Sequence, residues 1–437
     1  KKLDFLPMAN SKTQIIIPMS GYGERFRVAG YSKPKPLIKV EGKPIIQHVI
    51  EMFPGETNFL FICNEDHLNH PEFELKETLK LICPTAKVFA IKPHKLGPVH
   101  AVLQATKLID HNLPTIVNYC DFTCYWDWGH FKKWTIEQKV DGCVPAYKGF
   151  HPHSLGKTNY AYMRENNGIL LAIKEKEPFT DNRLNEYASS GTYYFSSGKV
   201  MLDSFEQMVV KDKNVNGEYY VSLAYNELLA EKKPVAVYPI QHFMQWGTPE
   251  DLEEYVQWSE AFRALGKRRK DRNEAFSAIV TPMAGKGQRF VDQQYSKPKP
   301  LINVSGMPMA VQAIKSYLPT KITSVVVRAE MEELKDVLDK NINNLRIAEV
   351  ETVTSGQATT AKIGLEAVAK KEWQNLECIT FTACDSGVLF DFDKLKSIIM
   401  DDDVDIVVWG KRGHSEAIRN PEMFGWIDAD ASGNIKN

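Results

Sequence analysis

The strongest constraint on how this chain folds is that one stretch occurs twice. Residues 15–40 read IIIPMSGYGERFRVAGYSKPKPLIKV, and residues 278–304 read AIVTPMAGKGQRFVDQQYSKPKPLINV. At a constant offset of 264 (282 − 18), Pro18 falls on Pro282, Gly21 on Gly285, Gly23 on Gly287 and Arg25 on Arg289. The octapeptide YSKPKPLI at 31–38 then recurs unchanged at 295–302. An octapeptide in register with a glycine-rich loop is a tandem duplication, so the chain is expected to fold as two related units.

The chemistry of the repeated stretch points to phosphate. Ile15, Ile16 and Ile17 form a short, wholly apolar run, the pattern of a buried parallel strand. It leads into Gly21-Tyr22-Gly23, where missing side chains let backbone N–H groups approach a ligand. Arg25 follows as a fixed cation able to make bidentate bonds to phosphate oxygens. Lys35 sits between Pro34 and Pro36, which stiffen the segment and hold the ammonium in place. The second copy supplies Gly285-Lys286-Gly287, Arg289 and Lys299. A lone Gly-x-Gly-x-Arg is a weak signal; joined to Lys-Pro-Lys-Pro-Leu at fixed spacing, twice, it is specific.

Both copies resemble the signature of the sugar-phosphate nucleotidylyltransferases, Gly-x-Gly-x-Arg followed by Pro-Lys-x-Leu. The resemblance implies a glycosyltransferase-A-like, Rossmann-type α/β fold. It implies that the glycine loop covers the phosphates of a nucleoside triphosphate, that Arg25 holds the leaving pyrophosphate and that Lys35 steadies the α-phosphate. One departure stands beside the arginine, where the family often has Thr or Ser and this chain has Glu24 and Gln288. A carboxylate next to phosphates is expected to face away or to help position a metal.

Strand-like runs at 58–63, 86–91 and 115–118 alternate with helix-like stretches at 45–52 and 102–108, which argues a mostly parallel, doubly wound sheet. The last run delivers Asp121 at its C-terminal end, where open α/β sheets bind ligands. Asp385 follows at the same offset of 264 (385 − 121). In the family this aspartate binds Mg²⁺, and magnesium prefers carboxylate and phosphate oxygens; the plainer alternative is a turn-capping Asp. Gly97 is a candidate for the base pocket, or equally a glycine between strand and helix, and Gly356 lies in the corresponding loop. Glu175-Lys176, followed by Pro178, resembles the Glu-Lys-x-Pro pattern whose lysine binds the sugar phosphate. Gly191-Thr192 resembles the strand that closes over the sugar. Trp246-Gly247-Thr248-Pro249 resembles the closing motif, with Gln245 where many members carry a second metal-binding Asp. His151 and His153 read as a polar loop near the acceptor rather than as metal ligands.

The second copy repeats the series, with strands expected at 324–328, 347–353 and 378–382. Phe424-Gly425-Trp426-Ile427 aligns with Tyr160-Ala161-Tyr162-Met163, which puts Asn437 a few residues before the counterpart of Glu175-Lys176. A second copy that is truncated, in a native protein that continues, is the expectation. The expected boundaries are 1–265 for the first nucleotidyltransferase domain, 266–273 for a charged linker and 274–437 for the second.

A net charge of −1 gives no electrostatic case for nucleic acid or membrane as partner. No apolar run approaches the roughly 18 residues that span a bilayer, and the first residues lack the apolar core of a signal peptide. Seven cysteines, an odd number mostly in strand-like runs, suit reduced thiols in a cytoplasmic protein. The expected activity is transfer of a nucleotidyl group from an NTP to a sugar 1-phosphate or similar phosphorylated acceptor, with release of pyrophosphate. Analogy with the family places it in making precursors for capsule or other surface polysaccharide; whether the chain forms a homo-oligomer stays open. Two rivals stand beside this: a glycosyltransferase of the same fold, for which an Asp-x-Asp motif is wanting at Asp121 and Asp385, and a nucleotide-binding sensor or scaffold.

Overall fold

The computed structural model describes residues 12–151, 159–266, 277–317, 320–374, 376–412, 417 and 420–436. Two compact units divide the chain, Lys1–Trp258 with Arg412–Asn437, and Ser259–Lys411. Arg412–Asn437, expected in the second copy, therefore groups with the first unit. His153 and, apart from Gly266, the expected linker 266–273 lie outside the described residues.

Besides a short hairpin, Lys39–Val40 with Lys43–Pro44, the described residues of the first unit form β1 (Gln14–Met19), β2 (Phe59–Asn64), β3 (Lys87–Ile91), β4 (Thr115–Asn118), β5 (Phe122–Tyr125), β6 (Gly142–Tyr147), β7 (Ala161–Asn166), β8 (Ile169–Glu175), β9 (Tyr187–Ser189), β10 (Thr192–Phe195), β11 (Val235–Pro239) and β12 (His242–Gln245). Ten of them form one sheet in the order β9-β7-β8-β11-β6-β10-β4-β1-β2-β3, while β5 and β12 pair antiparallel. Ile15, Ile16 and Ile17 are fully buried in β1 between two parallel neighbours, as the apolar run requires. Ile15 and Ile17 face one apolar cluster, with helices Ile45–Glu51 and Trp128–Gln138. Ile16 faces the other, with helices Pro98–Gln104, Gly198–Val210 and Val221–Ala230. Each such isoleucine contributes about 1.5–3 kcal/mol by leaving water.

The expectation of a mostly parallel sheet needs correcting here. β4, β1, β2 and β3 run parallel, but β10 is antiparallel to both β4 and β6, and β7, β8 and β9 pair antiparallel. The reason is local. β7 and β8 are joined by Asn167-Gly168, both at positive φ (50° and 79°), the two-residue turn that only antiparallel strands can use. The helix expected at 102–108 starts earlier, at Pro98, because proline is pre-organised for a first helical position and Gly97 precedes it at φ 86°.

The second unit has β13 (Ser277–Pro282), β14 (Thr320–Arg328), β15 (Leu345–Val350) and β16 (Cys378–Phe381), all parallel in the order β15-β14-β13-β16. That is the order and direction of β3-β2-β1-β4. The apolar run at residues 406–409, at the offset of β6, is not a strand, and Ile406 is 79% exposed.

Candidate functional site

Gly23 ends the first glycine loop in the left-handed region (φ 64°, ψ 34°) and starts helix Glu24–Val28. This conformation costs an L side chain about 1 kcal/mol and glycine nothing. The turn sends Arg25 toward a cleft of ≈440 Å³ bordered by both halves of the sheet. Pro34 holds an extended conformation that starts a single 3-10 turn, Lys35–Leu37. The turn buries Pro36 and Leu37 and lets Lys35 reach back into the cleft. There its Nζ donates to Asp121 Oδ2 at 2.7 Å. Burial works most strongly against the ammonium, but the Asp121 charge, the neighbouring Cys120 and the hydrogen bond to Asp121 together outweigh it and lift the Lys35 pKa above its ordinary value.

Asp121 follows β4 on the loop into β5, and its carbonyl accepts from Trp246 N at 2.9 Å. A Cβ on Gly247 would lie 3.1 Å from Asp121 Oδ2 and 2.5 Å from Gln245 Nε2, so the carboxylate and the amide flank one point. Three groups of His, Cys, Asp or Glu placed to hold a metal do not occur among the described residues. One carboxylate and one amide would suit a magnesium ion that takes further oxygen ligands from outside the protein better than one caged by protein. Glu24, the unexpected carboxylate, turns to Arg27, with Oε1 at 2.5 Å from the guanidinium and both side chains largely exposed.

Glu175 and Lys176, where β8 ends, line the same cleft. Lys176 is itself at φ 60°, and its N–H donates to Tyr160 O at 2.9 Å. Burial pushes the Glu175 carboxyl up to about 7, opposed by a hydrogen bond from Ser222 Oγ (2.6 Å) and by the Lys176 charge.

Residues 14–258 match the model of the family described as Nucleotidyl transferase. The chain belongs to that family. This nucleotidyl transferase chain is 24% identical over 248 residues to the mannose-1-phosphate guanylyltransferase catalytic subunit beta of Drosophila melanogaster, covering 56% of this chain and 62% of the relative. It is 30% identical over 174 residues to the bifunctional protein GlmU of Methanococcus maripaludis, covering 39% and 38%. It spans about half the length of the curated relatives it matches. Similar solved structures include a nucleoside-diphosphate-sugar pyrophosphorylase from Vibrio cholerae (21% identity, TM-score 0.46, 56% of this chain and 100% of that one). Another is a UDP-glucose pyrophosphorylase complexed with UDP-glucose (20% identity, TM-score 0.44, 59% and 99%).

Of the residues singled out in the first copy, the cleft brings together Gly23, Glu24, Arg25, Lys35, Asp121, Glu175, Lys176, Gly191, Gln245, Gly247 and Thr248. It leaves out Gly21, Tyr22, Gly97 and Thr192. Tyr22 is half exposed, edge-on to His67. A Cβ on Gly97 would strike the Tyr219 backbone at 2.7 Å (N) and 2.8 Å (O), so close chain approach explains this glycine. Thr192 is fully buried and donates its hydroxyl to Asn118 Oδ1 at 2.5 Å. In the second copy of the repeat, Gly287 repeats Gly23 (φ 63°, ψ 35°), and Lys299 donates to Asp385. Gly285, Lys286, Arg289 and Gly356 are exposed, and Gly356 has extended backbone.

The residues missed from sequence are Tyr119, Tyr160, Glu218 and Tyr220, all on the cleft wall. For the last two a signal existed: Asn214-Val215-Asn216-Gly217 is a turn sequence, and the residues after a turn are well placed to enter a site.

Proposed function

We propose that the first unit transfers a nucleotidyl group from an NTP to a phosphorylated acceptor, a sugar 1-phosphate by preference, releasing pyrophosphate. The observation that carries this reading is the set of groups gathered in one cleft: Arg25, the Lys35–Asp121 pair and Lys176. Arg25 and the glycine-loop turn hold the β- and γ-phosphates, and Lys35 holds the α-phosphate once the phosphates take its ammonium from Asp121. Lys176 holds the acceptor phosphate so that one of its oxygens faces the α-phosphorus in line with the departing pyrophosphate. Asp121, with the Gln245 side chain as a neutral second donor, would hold a magnesium ion, which would supply charge neutralisation on the phosphates. No side-chain nucleophile is needed; positioning and electrostatics supply the acceleration.

The second unit carries the same phosphate-binding half, so we read it as a second nucleotidyltransferase-like domain that binds nucleotide. Pyrophosphate release tests the first of these statements. The full-length chain is incubated with Mg²⁺, each of CTP, UTP, dTTP, ATP and GTP, and a panel of sugar 1-phosphates. Turnover with at least one pair, reduced about 100-fold or more by Asp121→Asn, supports the reading; nucleotide binding with no pyrophosphate from any pair sinks it.

A further inference from the structure

Two neighbouring residues, Glu175 and Lys176, are held by one other segment. Lys176 Nζ donates to the Tyr220 hydroxyl at 2.5 Å and lies 4.3 Å from the centre of its ring. The Tyr220 hydroxyl in turn donates to Glu218 Oε2 at 2.6 Å. Two residues on, Ser222 Oγ donates to Glu175 Oε2 at 2.6 Å. The direction of the chain of bonds is fixed. An ammonium can only donate, a carboxylate only accepts, and the phenol between them must do both. Burial first, and the Glu218 hydrogen bond second, push the Tyr220 pKa far above the ordinary value, so it keeps the proton this arrangement needs.

The segment is itself anchored at both ends. Lys211 and Lys213 each place Nζ 2.5 Å from a carboxylate oxygen of the fully buried Glu227. Val215 and Glu218 exchange backbone hydrogen bonds of 3.0 and 3.1 Å, Gly217 N donates to Asn214 Oδ1 at 2.9 Å, and the Tyr219 hydroxyl donates to Asp212 at 2.7 Å. The Tyr219 backbone also bonds Leu96 O at 2.9 Å and Val99 N at 3.2 Å. Tyr220 and Glu218 are therefore presented from a stiff support. Lys176, whose four-carbon stem would otherwise sample many rotamers at a strained backbone position, is not free to wander.

We infer that the segment 218–222 is the positioning element of the acceptor end: Tyr220, backed by Glu218, fixes the Lys176 ammonium, and Ser222 fixes Glu175. This rests on the reading of Lys176 as the acceptor-phosphate cation. Tyr220 acts through Lys176 and is a positioning residue. The inference also bears on which acceptors fit, because the ammonium is held at one distance from the Lys35–Asp121 end, and an acceptor must span that distance.

Two measurements on the full chain test it. In the absence of substrate, the rate at which an amine-reactive reagent modifies Lys176 is read by mass spectrometry, with Lys174 as internal reference. Tyr220→Phe, which keeps the ring and removes the hydroxyl, should raise Lys176 modification several-fold relative to Lys174, and Glu218→Gln should do so to a smaller extent. In turnover, Tyr220→Phe should raise the acceptor KM about tenfold, the loss of one hydrogen bond to a charged group, with the NTP KM unchanged. Unaltered modification of Lys176 would overturn the inference, as would acceptor and NTP KM values that rise together. If the unaltered protein shows no turnover at all, the functional reading fails, while the labelling ratio still decides whether Tyr220 holds Lys176.

Discussion

Gly23 and Gly287 share one conformation to within a degree, and Lys35 and Lys299 each reach an aspartate 86 residues further on. The strands beneath them stand in the same order. The surroundings differ. In the first unit both side chains of the pair are 21% exposed, in a cleft whose far wall is the antiparallel half of the sheet. In the second, Asp385 is 36% exposed beside a four-stranded parallel sheet. Behind the loops, Arg328 donates to the carbonyls of Ala284 and Gly285 at 2.8 Å each; the first copy has the shorter Asn64 there, which caps helix Glu65–Asn69 instead. The comparison teaches that the glycine-loop half is a local structure, complete once a strand, a glycine turn and a proline-braced lysine are present. The acceptor half is not local: it is assembled from strands and a strap distant in sequence.

The largest expected effect separates the two copies directly. Asp121→Asn should lower pyrophosphate release by about 100-fold or more, while Asp385→Asn should leave it within about twofold; equal losses would mean that both copies turn over. Next come the loop glycines Gly97 and Gly356. Gly97→Ala drives a Cβ into the Tyr219 backbone and should destabilise the first unit by about 3 kcal/mol. Gly356→Ala, with extended backbone and nothing within 4 Å, should leave the denaturation midpoint unchanged. The glycine turns offer a finer contrast. Gly23→Ala and Gly287→Ala both cost about 1 kcal/mol for the left-handed backbone. Gly287→Ala should cost more, because its Cβ meets Lys299 Cβ at 3.0 Å, against 3.8 Å for the Lys35 counterpart.

Smaller still is a pH effect confined to the first unit. Glu175 holds its proton to about 7 when folded, against an ordinary 4.5, chiefly through burial. The unfolded chain releases that proton first, so stability should fall as pH rises between those values, and Glu175→Gln should flatten that slope in urea titrations. The smallest is Glu24→Ala, which should leave melting unchanged, since its partner Arg27 is as exposed as it is.

Much of the phosphate end was legible because its determinants lie close in sequence. Gly23, Arg25 and Lys35 fall within thirteen positions (35 − 23 + 1), and the repeat carried the same pattern to Gly287 and Lys299. Asp121 was found through the strand that precedes it. The acceptor end was legible only at Glu175 and Lys176, because the groups that hold them, Tyr220 and Ser222, lie more than forty residues on. The antiparallel strands were signalled by Asn167-Gly168, a hairpin turn that outweighs the strand–helix alternation on which the parallel reading rested. Thr192 could not be told from an exposed sugar contact without knowing that Asn118 lies across from it on the neighbouring strand.

The Lys35–Asp121 pair has a consequence for what the cleft admits. Its ammonium is already discharged against an internal acid, and Lys176 rests on a phenol backed by another. Among the described residues Arg25 alone of these three cations has neither an ion pair nor a side-chain hydrogen bond. On the proposed reading, a polyphosphate entering here would not fall into a well of bare positive charge; it would trade places with a resident counter-ion. Recognition becomes an ion exchange inside a fitted shape, and a passing polyanion that cannot dislodge Asp121 from Lys35 gains little by binding.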